Sequence, residues 1–76
     1  MNKKRRAMLE SAIEYLSKAA NIVETASEQE SDCLDNMPEN LQGSERYEKM
    51  ESAISFLEDA LEHVENAKEC ISEAVS

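Results

Sequence analysis

At 76 residues and 8.6 kDa, the chain holds one small domain at most. A core of that size seldom supplies more than about 3–5 kcal/mol unaided, so such chains usually rely on staples, metals or association. One Gly, one Pro and three aromatic residues argue against an all-β design, and a net charge of −9, from 17 acidic and 8 basic residues, disfavours nucleic acid or an anionic membrane as direct partner.

Four of the eight basic residues are Lys3, Lys4, Arg5 and Arg6; beyond them 4 basic residues face 17 acidic ones, a net −13. The run imitates the start of a secretory signal, but Glu10 and Glu14 follow where an apolar segment belongs. Four cations without a neighbouring aromatic platform are a weak nucleic-acid signature, so a solubilising end is expected, part-neutralised by Glu69 and Glu73. No stretch approaches the length of a membrane span. Cys33 and Cys70 are too few for a disulfide framework, so reduced thiols and a cytoplasmic location are expected.

The first half places Leu9, Ile13, Leu16, Ala20, Val23, Leu34 and Met37 at alternating steps of three and four or sums of them, the a and d positions of a heptad. This predicts a helix from about Lys4 to Asn36. Pro38 removes a backbone donor and disfavours a helical Met37, Gly43 suits a turn, and Ser44 can cap a new helix. The connection has room for one short helical turn. Tyr47, Met50, Ile54, Leu57, Leu61, Val64, Ile71 and Val75 then resume the spacing, predicting a second helix from Glu45 to Ala74.

The two halves resemble each other, with Leu9–Leu16 aligning on Met50–Leu57 at an offset of 41 residues. Duplication and convergence of two amphipathic helices both explain the match. A connection of about seven residues between long helices forces them antiparallel. The fold class is therefore all-α, a coiled-coil-like helical hairpin forming a single domain over residues 1–76. If facing residues sum to 84, the seam has nine layers, running from Leu9–Val75 to Met37–Tyr47. Three layers contain a polar residue: Lys68, which can snorkel; Ser27; and Glu30, which should lean toward solvent or a basic side chain.

The apolar arc is wider than one partner helix needs. Position g carries Ala12, Ala19, Ala26 and Cys33, then Ala53, Ala60, Ala67 and Ala74; position c carries Met8, Tyr15 and Ile22, then Phe56, His63 and Cys70. Together c, g, d and a span about 160° at 100° per residue. An arc of that width suits two neighbours, so a homodimer is expected as a four-helix bundle of two hairpins, with Tyr15, Ile22, Phe56 and His63 at the interface. Positions b, e and f are nearly all polar. Their densest acidic run is Glu58, Asp59, Glu62, Glu65 and Glu69.

Catalytic machinery is not visible. His63 has Asp59 one turn earlier, but no serine or cysteine completes a nucleophilic arrangement. The Glu-x-x-His spacing of di-iron bundles fails because Ala60 stands three residues before His63. A zinc site fares no better, with Cys33 near the connection and Cys70 near the termini. Gly43 alone makes no phosphate loop. Neither enzymatic activity, a metal nor a cofactor is expected.

The segment Asn36–Glu51 resembles a pattern in small acidic proteins encoded by bacteriophages and prophages of Gram-positive bacteria. In that family Asn-Leu-Pro-Glu-Asn-Leu-Gln leads into Ser-Glu-Arg and an amphipathic helix. Here Met37 replaces the leucine and Tyr47 stands where glycine is frequent; the match covers the connection and the start of the second helix. The family has no settled activity, so the resemblance implies a helical hairpin in a mobile-element setting, a bacterial host cytoplasm, and no catalytic residues to carry over. It favours a counter-defence role, since small acidic phage proteins often occupy nucleic-acid channels of host nucleases.

Two functional classes follow. In one, the carboxylates of Glu58, Asp59, Glu62, Glu65 and Glu69 imitate a phosphate backbone and bind a basic groove on a host protein, a nuclease or other nucleic-acid-binding protein. In the other, the chain is a scaffolding module acting through its apolar arc.

Overall fold

A computed structural model describes all 76 residues: helix α1 (Lys3–Asp35), a 3₁₀ turn at Glu39–Leu41, and helix α2 (Glu45–Val75). No strand is present, and α1 packs against α2 as a hairpin. The helix limits lie within one residue of those expected from the periodicity.

Local chemistry accounts for each boundary. Asn2 caps α1, its Oδ1 accepting from the Arg5 N–H at 2.8 Å. At the other end the Asn36 backbone N–H and side-chain Nδ2 both donate to the Asp32 carbonyl, the latter at 2.9 Å. Pro38, at φ −57° and ψ 146°, then takes the chain out of the helix. The Leu41 N–H donates back to the Pro38 carbonyl at 2.9 Å, closing the 3₁₀ turn. Ser44 caps α2 as expected, with its Oγ accepting from the Tyr47 N–H at 3.2 Å. Glu45 and Glu48 in the first turn of α2 complement its macrodipole. Gly43, expected to serve a turn, does so without a positive φ.

The molecule is a rod of 60 × 15 × 13 Å. Its radius of gyration is 17.4 Å, where a globular domain of this length would have about 11 Å. All eighteen residues of the nine expected layers are at least half-buried, yet only Ala20, at 7% exposure, is fully buried. Two helices alone have a seam and no interior. Lys68 snorkels as anticipated, its Nζ reaching Glu65 Oε1 at 3.4 Å. Glu30 instead stays half-buried and meets no basic side chain.

The flanks of the seam are not the same on the two helices. On α2, Ala53, Ala60 and Ala67 are half-buried against α1. On α1 the half-buried flank residues are Ala12 and, on the opposite side, Ser17 and Ser31, while Ala19, Ala26 and Cys33 are exposed. Helix α1 is thus rolled so that most of its small-residue stripe faces outward.

Candidate interaction faces

Because the helices run in opposite directions, their g flanks lie on one side of the hairpin and their e flanks on the other. Positions c lie beyond g on the same side. One broad face therefore carries Met8, Tyr15 and Ile22 from α1, spaced by heptads of about 10.5 Å, and Phe56, His63 and Cys70 from α2. Tyr15, Ile22 and Phe56 are 68%, 71% and 73% exposed, and His63 is exposed with them. The Lys18 Nζ lies 5.6 Å from the Tyr15 ring centroid, near enough for a cation–π contact. Two shallow open grooves flank the stripes, one at Ile22, Ala26 and Gln29, the other at Lys49, Ala53 and Phe56. None of the seventeen carboxylates occupies a c or g position.

The carboxylates gather on the remaining surface. Glu58, Asp59, Glu62, Glu65 and Glu69 are all exposed and follow the outer side of α2. Their neighbours do little to neutralise them. Of seventeen carboxylates, only Glu45 and Glu65 pair with a cation, Lys49 at 3.2 Å and Lys68 at 3.4 Å. Lys3, Lys4, Arg5 and Arg6 form no ion pair with Glu69 or Glu73, contrary to expectation. The first seam layer, Leu9–Val75, explains this: residues 3–6 project past the end of α2.

No known protein family, curated protein or solved structure matches the chain.

Metal-ligating side chains do not converge in groups of three or more. Cys33 and Cys70 are both exposed and unbridged. No helix is long and apolar enough to cross a membrane. Sequence reasoning overlooked Asn2, the cap that makes the basic run helical; an asparagine directly before a charged helix-forming run was the available signal.

Proposed function

We propose that this protein is a non-enzymatic interaction module: two copies join through the c/g face into a four-helix bundle, and the acidic outer surface binds a basic groove. The observation behind this reading is the segregation of charge, with every carboxylate kept off the face that bears Tyr15, Ile22 and Phe56. A solubilising surface needs no such partition.

Area supports the association. A compact monomer of 8.6 kDa exposes about 4,700 Å², whereas the hairpin exposes 5850 Å². The excess, about 1,150 Å², is larger than the roughly 800 Å² that each partner buries in a standard interface. One broad side of the rod has a footprint of about 900 Å² by its dimensions, so a second copy laid on it suffices.

The acidic surface suits a protein that handles nucleic acid. Rows of carboxylates along α2 offer regularly spaced negative charge to lysines and arginines that otherwise hold phosphates. The phage-like segment at Asn36–Glu51 favours a host nuclease or DNA-binding protein in a bacterial cytoplasm as the target, with the chain acting as its inhibitor. A scaffolding role is the second reading, favoured by the exposed apolar stripe, and it makes the outer charge dispensable.

Capture from bacterial lysate separates the two. Wild-type bait and a Glu58→Lys, Glu62→Lys, Glu65→Lys bait are compared at about 0.05 and 0.5 M NaCl, where screening lengths differ several-fold. The proposal expects basic nucleic-acid-binding proteins on the wild type at low salt only, and none on the reversed bait. Equal capture by both baits contradicts mimicry and leaves the scaffold.

A further inference from the structure

We infer that the two copies stack as antiparallel rods, so that the basic end of each lies against the acidic loop end of the other. This rests on the self-association proposed above and adds its orientation.

Charge is unevenly distributed along the rod. The terminal end, residues 1–10 with 69–76, carries Lys3, Lys4, Arg5 and Arg6 against Glu10, Glu69 and Glu73, a net +1. The loop end, residues 28–52, carries eight carboxylates against Arg46 and Lys49, a net −6. Helix α1 makes the polarity stronger. Its first turn has no acidic residue and its last turn no basic one, so its cations sit at the positive end of the macrodipole and Asp32 and Asp35 at the negative end. A helix ordinarily places its charges the other way round. Neither end of α1 finds relief within the hairpin: Lys3–Arg6 overhang α2 and form no ion pair, and Asp32 and Asp35 pair with no cation.

Neighbouring helices in a bundle lie about 8–10 Å apart, roughly one Debye length at physiological salt. Charges on adjacent ends therefore interact, while those at opposite ends of a 60 Å rod do not. Parallel stacking would set two basic quartets side by side and two −6 ends side by side. Antiparallel stacking opposes them.

Spin labels at the loop tip read the orientation. An Asn40→Cys variant on a Cys33→Ser, Cys70→Ser background places one label at the end of each rod, and pulsed dipolar spectroscopy of the dimer gives the separation. Antiparallel rods predict about 45 Å or more, from some thirty helical residues at 1.5 Å each. A separation under about 25 Å, two or three interhelix spacings, overturns the orientation while leaving the dimer intact. A monomer overturns both. A label-free measurement guards against a disturbed loop: changing Lys3, Lys4, Arg5 and Arg6 together to Glu improves the charge at the N-terminus of α1. Helix loss therefore cannot explain weaker association. The antiparallel dimer should dissociate at least tenfold more readily at low salt and converge on wild type at high salt; an unchanged constant refutes the inference.

Discussion

Changing Phe56 to Glu tests the c/g face at its most exposed large apolar side chain. Complete burial of a phenylalanine side chain is worth about 1.5–3 kcal/mol. Phe56 is 73% exposed in the single hairpin, so most of that gain is still to be realised on association. Two symmetric copies lose about 2–4 kcal/mol per dimer, a rise in the dissociation constant of about 30- to 1,000-fold. The position lies outside the seam, so the helicity of the hairpin should survive and only the concentration-dependent part of its melting temperature should fall. Sedimentation equilibrium supplies the constant and circular dichroism the melt. Asn66→Glu adds the same charge at an exposed outer position and should leave the constant within about threefold, a few tenths of a kcal/mol. If Phe56→Glu behaves like Asn66→Glu, the face is not an interface.

Other changes probe the hairpin itself. Ser44→Ala removes the acceptor of the Tyr47 N–H and should cost about 1 kcal/mol, lowering the melting temperature by roughly 4–8 °C. Gly43→Ala should do the reverse: its φ is not positive, a Cβ there meets nothing within 4 Å, and restricting the unfolded chain stabilises by about 0.4–1 kcal/mol; a lower melting temperature would contradict this. Cys33 and Cys70 lie on separate levels of the rod, about 28 Å apart along it by helical rise, well beyond the roughly 7 Å between Cα atoms that a disulfide tolerates. Peptide mapping of oxidised monomer should find no bridge between them.

The seam was legible because heptad spacing is a one-dimensional signal. From Leu9–Val75 to Met37–Tyr47, burial follows the periodicity even through Ser27 and Glu30, where residue type argued against it. Helix roll was not legible. Ser17 and Ser31 are half-buried while Ala19 and Ala26 are exposed, and side chains so similar in size permit close approach on either flank. Helix α2 closes on its g flank and α1 mainly on its e flank, and that roll depends on the fit of both helices at once. Gly43 shows a different limit: glycine composition marks a turn but does not reveal whether its conformational freedom is used. Of the candidate faces, the exposure of Tyr15, Ile22, Phe56 and His63 and of the acidic run on α2 follows from heptad position. The projection of Lys3–Arg6 past α2 already follows from the Leu9–Val75 layer, with which pairing to Glu69 and Glu73 is inconsistent.

Sedimentation velocity of the unmodified protein addresses the pairing of hairpins most directly. At about 10–50 µM, where mass action favours any specific dimer of useful affinity, the mass should be twice 8.6 kDa. The melting temperature should rise with protein concentration. A particle of 8.6 kDa with a sharp, concentration-independent melt would show that the hairpin needs no second copy, and the c/g face would lose its assigned role.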